Sequence, residues 1–582
     1  MRILFLTHSF NSLAQRLYVE LAERGHDVSV ELDIADSVSV EAVRLFQPDL
    51  IIAPFLKRAI PEALWRDHVC LVAHPGIPGD RGPASLDWAI LEGERDWGVT
   101  VLQANAVMDG GDLWATRAFP MRAARKSSLY RNEVTEAATE AVLEAVEKFS
   151  SARYTPVPQD RGPNTKRGRA RPPMRQDARR IDWARDDTST IVRKIHASDG
   201  APGVLDRIAG REMYLFDAHP ESTLRGTDAG AILARRREAI LRATIDGAVW
   251  IGHVKLKDAQ SARPKLPATL ALADLAANVP ESDPGILPAR QAGTWQDIAY
   301  EEAEGIGYLH FDFYNGAMST DQCVRLREAF VAAAQRPTRI IVLMGGPDFW
   351  SNGIHLNRIE AAPSPADESW RNINAMDDLC QTILECTTHV TVAAVQGNAG
   401  AGGVFLALAA DRVWARRGAI LNPHYKGMGN LYGSEYWTYL LPRRVGAERA
   451  RALMENRLPI GAPRAAALGL VDDSFGRDVP QFCADVRDRT RALVRGVDAL
   501  LDEKRARRAR DERVKPLARY RAEELERMRL NFYGFDPSYH VARYHFVHRV
   551  PHAWTPLHLA RHRRGTWRRQ GDLTAGIHEA TR

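Results

Sequence analysis

His74 closes the apolar run "CLVAH", and Asp112 follows a glycine pair in "ANAVMDGGDLW". If the two runs are neighbouring strands, an imidazole and a carboxylate meet at adjacent strand ends. Such a pair shares a proton, the carboxylate fixing the imidazole tautomer and stabilising its charged form. The other reading of His74 is a histidine that only satisfies loop hydrogen bonds. Much later, "LNPHYKGMGNLYGSEYW" carries Tyr425 and Glu435. A phenol and a carboxyl exchange a proton when a pocket raises the carboxyl pKa and brings the two within hydrogen-bond reach. An aromatic lid for Tyr425 and a solvated helix start for Glu435 are the alternatives. Between these stretches lies "VQGNAGAGGVFLALAAD", Val395 to Asp411, a glycine-rich turn running straight into an apolar helix.

Alternating elements position the first pair. "RILFLTH", "DVSVEL", "DLIIAPF", "HVCLVAHP" and "WGVTVLQAN" are strand-length apolar runs, separated by amphipathic segments such as "SLAQRLYVELAERG". This pattern predicts a parallel, doubly wound sheet with its ligand at the carboxyl ends of the strands. No G-x-G-x-x-G follows the first strand, which argues against a nicotinamide or flavin dinucleotide. The basic, proline-containing "KRGRARPPMRQDARR" (166–180) reads as a solvated linker, with a phosphate-contacting arm as the alternative. Short strands follow to about Lys257, and a new domain begins near Trp295 with strands, an amphipathic helix and the buried strand "TRIIVLMGG". From about Asp498 the chain is charged and helical.

The 582 residues exceed one core and predict several domains. The net charge of +6, from 79 basic and 73 acidic residues, is spread along the chain and argues against nucleic acid as the main partner. Five cysteines without C-x-x-C spacing suit a reducing cytoplasm, and no window has the roughly 18 apolar residues of a membrane helix. His545, His548, His552, His558 and His562 gather near the end without the carboxylate that would make a zinc site of them. A basic, aromatic surface arm is the preferred reading, and no metal is expected.

Ala73-His74-Pro75, Arg81-Gly82, Gly98-Val99-Thr100 and Gly111-Asp112 occur in the order of the methionyl-tRNA formyltransferase core. With "RRIDW", "APG" and "DGAVWI", they make residues 1 to about 257 resemble that family. The resemblance implies 10-formyltetrahydrofolate as formyl donor, with His74 and Asp112 moving protons off the attacking group and Arg81 in the pocket. The family's asparagine is replaced by Val72, which cannot donate to a developing oxyanion. Either another donor substitutes, or the acceptor is easier to formylate than an amine, for example a thiol.

"LMGGPDFWSNGIHLN" and the glycine-rich turn resemble the two signature segments of the enoyl-CoA hydratase/isomerase (crotonase) superfamily. That resemblance implies an oxyanion hole from the N–H groups of Ile354, after the Phe349–Gly353 turn, and of Gly402 at a helix N-terminus. Both usual glutamates are missing: Phe405 holds the first position and Tyr425 falls at the second. Hydration of an enoyl-CoA is therefore not expected.

The two halves together resemble the HypX/HoxX family of nickel-iron hydrogenase maturation proteins. The resemblance implies formyl transfer from 10-formyltetrahydrofolate to coenzyme A and decarbonylation of formyl-CoA to carbon monoxide, with Glu435 and Tyr425 shuttling the proton. Gln15 and Arg131 are candidates for holding CoA, with the C-terminal arginines as the alternative for its phosphates. Partners would be small molecules and other hydrogenase maturation proteins. The expected architecture is multidomain α/β: a Rossmann-like formyltransferase domain (1–165), a linker and small β-rich, OB-like subdomain (166–275), a crotonase-fold domain (294–497) and a helical, basic extension (498–582). Two other readings stay open. An enzyme that formylates an amine on tRNA or sugar beside a degenerate crotonase domain would ignore CoA, and a non-catalytic maturation scaffold would show no folate turnover.

Overall fold

Five of the six residues of "RILFLT" are buried, as in a strand covered on both faces. This run is β1 (Arg2–Thr7) of a computed structural model that describes all residues except 152, 162–166, 259–262 and 565–582. β2 (Asp27–Leu32), β3 (Leu50–Ala53), β4 (Cys70–His74), β5 (Asp96–Gln103) and β6 (Leu113–Pro120) complete a sheet of order β2-β1-β3-β4-β5-β6. The expected parallel sheet holds only as far as β4, because β5 runs antiparallel to both β4 and β6. The chain between Gln103 and Leu113 is too short for a crossover helix, so β5 and β6 pair as a hairpin. Helices α1 (Ser12–Glu23), α2 (Asp36–Phe46), α3 (Ser85–Glu92) and α4 (Thr135–Ser151) belong to the same unit.

The chain divides into two compact units, Met1–Arg175 with the segment from Pro551, and Gln176–Val550. The expected single extension from 498 is thus split at Pro551. Its final described residues line the outer edge of β2, where Val30 N–H donates to the Leu559 carbonyl at 3.0 Å and Leu32 N–H to Thr555 Oγ1 at 2.8 Å. The 166–180 run also departs from a solvated linker. Lys166 lies outside the described residues, but Arg167, Arg169 and Arg171 are drawn onto Glu94, Glu92 and Asp80. Three carboxylates facing the run explain this, and Arg171 also lies over the Trp97 ring at 5.2 Å.

In the second unit, α5 (Thr188–Ala197) precedes an antiparallel sheet of β7 (Val204–Ile208), β8 (Arg211–Glu221), β9 (Ile232–Arg236), β10 (Ala239–Ala243) and β11 (Ala248–Leu256), in the order β7-β8-β11-β10-β9. The crotonase-like part has two sheets. One contains β12 (Ile298–Ala303), β13 (Ile306–Phe311), β14 (Ile340–Met344), β16 (Val390–Val395), β18 (Arg412–Arg416) and β21 (Asp473–Phe475). The smaller one contains β15 (Phe349–Ser351), β17 (Asn398–Gly400), β19 (Ile420–Asn422) and β20 (Ile460–Gly461). Around them lie α6 (Thr320–Ala333), α7 (Pro365–Glu385), α8 (Gly402–Leu408) and α9 (Trp437–Val445), then α10 (Val479–Val494), α11 (Val497–Val514), α12 (Leu517–Tyr533) and α13 (Ser538–His548). Among the described residues, no helix is long and apolar enough to cross a membrane.

Candidate active sites

His74 ends β4 with its ring buried between two aspartates. Nδ1 stands 3.6 Å from Asp109 Oδ1, and Nε2 stands 3.7 Å from Asp80 Oδ1 and 3.3 Å from Ser85 Oγ. The expected partner, Asp112, is a correction: its side chain is exposed, and its carbonyl accepts the Gln103 N–H at 2.9 Å. Asp112 immediately precedes β6, whereas Asp109 sits in the preceding turn with a φ of 51°. The glycine pair thus follows the carboxylate beside His74 instead of preceding it. Gly111 is required there, since a Cβ would stand 1.6 Å from the Gln103 carbonyl oxygen. Gly82 N–H donates to Asp109 Oδ2 at 3.0 Å and fixes that carboxylate.

Asp80 carries no motif signal, yet it is the most connected acid of this site. Arg171 Nε donates to it at 2.5 Å, and Ser85 Oγ–H also donates to it. Burial alone would raise its pKa, but hydrogen bonds from His74, Ser85 and Arg171 outweigh burial and hold it below the usual carboxylate range. An imidazole held between two carboxylates can take a proton from an attacking group and keep the resulting charge. Val72 is half-buried and packs against the apolar cluster on β3 and β4, so it offers no donor. Arg81 acts through its backbone, pairing with Arg169 and Arg171 at 3.0 and 2.7 Å. Gln15 and Arg131 lie in neighbouring elements, linked by a hydrogen bond between the Asn11 and Tyr130 side chains. Gln15 donates to the Phe10 carbonyl at 2.9 Å, and Arg131 lies in the π-helical turn Tyr130–Val134.

The second unit brings the two signature segments together. A Cβ on Gly353 would stand 3.4 Å from the Gly402 amide nitrogen. Gly402 is the first residue of α8, so its N–H has no acceptor within the helix. Met318 N–H donates to the Gly353 carbonyl at 2.9 Å in a parallel bridge that leaves the Ile354 N–H out of the pairing. The glycines are needed for packing as well as approach: a Cβ on Gly403 would meet the Ser351 carbonyl oxygen at 2.0 Å.

Tyr425 and Glu435 face this turn from a buried pocket, which excludes both a lid and a solvated helix start. Tyr425 Oη lies 2.5 Å from Glu435 Oε2 and 3.0 Å from the Ser434 carbonyl oxygen. A phenol has one proton and the carbonyl can only accept, so both contacts are satisfied when Glu435 itself is protonated. Burial, then the charges of Asp377 and Glu524, push the Glu435 carboxyl far above its ordinary value, against the hydrogen bond from Tyr425. The other oxygen, Oε1, is buried without a hydrogen-bond partner among the described residues. It faces Gly402, where a Cβ would come within 2.1 Å of it. Phe405 is fully buried one turn into α8 and stacks on Tyr425, with ring centroids 5.6 Å apart and planes 14° off parallel.

Of the C-terminal histidines, His548 Nε2 is 3.1 Å from Glu360 within the second unit, and His562 Nε2 is 2.8 Å from Glu31 within the first.

Comparison with known proteins agrees with both halves. A formyl transferase model matches residues 31–146, a formyl transferase C-terminal domain model 173–266, and an enoyl-CoA hydratase/isomerase model 301–554. A methionyl-tRNA formyltransferase of Citrifermentans bemidjiense is 26% identical over 223 residues, covering 38% of this chain and 68% of that protein. The crystal structure of HypX from Aquifex aeolicus in complex with tetrahydrofolic acid superposes with a TM-score of 0.93 at 52% identity, covering 97% of this chain and 99% of that one. The hydrogenase maturation factor HoxX of Bradyrhizobium diazoefficiens is 55% identical over 564 residues, 97% of each chain. With that identity over nearly its whole length, a formyltransferase-like half and a crotonase-like half, the chain belongs to the HoxX/HypX family of hydrogenase maturation factors.

Proposed function

We propose that the chain makes carbon monoxide for a nickel-iron active site in two steps, formylation of coenzyme A from 10-formyltetrahydrofolate and decarbonylation of the resulting formyl-CoA. The observation that carries the reading is Glu435 Oε1, buried against Gly402 without a hydrogen-bond partner among the described residues, in a site where Phe405 stacks on Tyr425. The tetrahydrofolate of the related Aquifex structure supports the folate assignment. Valine at position 72 offers no oxyanion donor, which suits an acceptor that is a better nucleophile than an amine, such as a thiol.

In the first unit, His74 takes the thiol proton as sulfur attacks the formyl carbon, and Asp109 stabilises the imidazolium that forms. The bond from the formyl carbon to N10 then breaks with its pair going to nitrogen, which takes the proton back from His74 and leaves as tetrahydrofolate. Gln15 and Arg131 hold the CoA end of the substrate. In the second unit, the Ile354 and Gly402 N–H groups receive the thioester oxygen. Glu435 Oε1, once ionised, removes the formyl proton, and the C–H electron pair stays on carbon. The C–S bond breaks with its pair going to sulfur, and the proton held by the Glu435–Tyr425 pair returns to the thiolate. The sum is formyl-CoA to carbon monoxide and free CoA, with no net redox change. Hydrolysis to formate needs a positioned water, and Phe405 occupies the position of the family glutamate that would activate it.

The test is incubation with 10-formyltetrahydrofolate and CoA, with carbon monoxide followed by a haem probe. Carbon monoxide in step with tetrahydrofolate is expected; formate alone, or transfer to amines with CoA ignored, would overturn the reading. Tyr425→Phe and Glu435→Gln should each lower release from added formyl-CoA by about 10²-fold or more.

A further inference from the structure

The turn that presents Glu435 is clamped by two buried carboxylates from helices far apart in sequence. Asp377, in the middle of α7, accepts the Ser434 hydroxyl proton at 2.7 and 2.8 Å and the Glu435 N–H at 2.8 Å. Glu524, on α12, accepts the Tyr436 N–H at 2.9 Å and the Thr438 N–H at 2.8 Å. Between the two clamps Glu435 and Tyr436 are consecutive left-handed residues, with φ of 58° and 60°. Side chains other than glycine avoid that conformation, so the turn persists because its amides are held from both sides.

Neutral amides in place of these acids would accept the same N–H groups without the cost of a buried charge. Both positions are acids instead, with Arg521 at their side, 3.8 Å from Asp377. Groups facing Glu435 come from every element around it: Asp377 and Cys380 from α7, Cys323 from α6, Glu524 from α12 and Tyr425 from its own loop. Asp377 and Glu524 are the other carboxyls among them, raised chiefly by burial to about 6 and about 8, and either one, when ionised, makes the loss of a further proton from the cluster harder.

We propose that Asp377 and Glu524 are positioning residues for the thioester reaction, pinning the Glu435–Tyr436 turn so that the free Glu435 oxygen faces Gly402. Their charge in addition governs the pH at which Glu435 ionises. This rests on the formyl-CoA reading above and assigns the C-terminal helices a part in the chemistry, because α12 lies beyond the crotonase-like sheets.

Two readouts on the full-length protein separate the inference from that reading. The first is infrared titration of the Glu435 carboxyl, isolated by subtracting the Glu435→Gln spectrum, and it needs no turnover. Asp377→Asn keeps an acceptor for the Glu435 N–H and removes the charge, so the carboxyl should ionise roughly one pH unit lower. The second is carbon monoxide release from added formyl-CoA. Its rate should rise with pH as Glu435 ionises, and Asp377→Asn should move that rise to lower pH by the same amount. Glu524→Gln should act in the same direction on both readouts. Asp377→Ala, which frees the turn, should lower kcat about tenfold or more with a smaller change in KM. The calorimetric transition of the second unit serves as the folding control and should be retained, and folate-dependent formyl transfer by the first unit should be unchanged. If the carboxyl ionises at the parental pH in both charge-neutral variants, the proposal is overturned, whatever the rates. If the titration shifts but the parent releases no carbon monoxide, the clamp stands and the formyl-CoA reading fails.

Discussion

Which aspartate serves His74 is decided by three residues of chain. Asp109→Asn should lower formyl transfer to CoA by about 10²-fold to 10⁴-fold, the span of a general acid/base pair, whereas Asp112→Asn should leave it at the parental level. Monitoring tetrahydrofolate formation distinguishes the two, and a parental rate in Asp109→Asn would remove that carboxylate from the site. Sequence patterning located the imidazole, because His74 terminates an apolar run. It misplaced the acid, because a turn of positive φ and two glycines can present either end of "DGGD" to the sheet. Asp80, Asp377 and Glu524 were invisible for a different reason: each acts through contacts with residues far along the chain, and no local pattern marks them. Phe405 was legible as a departure from a family glutamate, and its stacking on Tyr425 gives that departure a physical role. Phe405→Glu should divert formyl-CoA toward formate, and an unchanged ratio of formate to carbon monoxide would refute a water-excluding wall.

Elements were easier to read than their pairing. The strand and helix periodicities of the first 150 residues appear as β1 to β6 and their helices, but direction depends on connection length, and the β5–β6 hairpin departs from the parallel expectation. In the small β domain the end of β8 carries a carboxylate that periodicity does not explain. Glu221 accepts the Trp250 indole N–H at 2.9 Å, the Thr223 N–H at 2.8 Å, the Leu224 N–H at 3.2 Å and the Thr294 hydroxyl. Burial opposes its ionisation, but hydrogen bonds from Thr294, Trp250 and the two backbone amides bring its pKa down to about 2. The ionised form is therefore favoured by folding. Its stabilisation is complete above the ordinary glutamate range near pH 4.5 and is lost as the pH falls toward 2. Glu221→Gln should cost about 2 kcal/mol at neutral pH, and the deficit should shrink in denaturant titrations on acidification through that window. A constant deficit would show that charge is not the source.

At the scale of the whole molecule, the chain returns to its first domain at its end, and that return rests on one buried carboxylate. Glu31 lies fully buried on edge strand β2 and is met by His562 at 2.8 Å, by Arg563 at 2.8 Å and by the Thr555 hydroxyl. Ser29 Oγ contacts the other His562 nitrogen at 2.7 Å, so the histidine is held by both ring atoms. An open strand edge is a template for pairing with other chains, and the segment from Pro551 covers this one. Burial raises the Glu31 pKa, but the hydrogen bonds from His562, Thr555 and Arg563 outweigh it and place the carboxyl below its usual range. The segment should accordingly stay docked at neutral pH and loosen in acid, as Glu31 takes up a proton. Glu31→Ala leaves the Arg563 guanidinium and the His562 ring without their carboxylate partner, a loss of about 3–5 kcal/mol for a broken buried pair. Because Glu31 and its partners all belong to the unit containing His74, the damage should be confined to that unit. Scanning calorimetry should show its transition lowered by on the order of 10 °C. Folate-dependent formyl transfer should fail at a temperature where carbon monoxide release from added formyl-CoA continues. A parallel loss of both activities would mean that the C-terminal segment stabilises the molecule as one cooperative body.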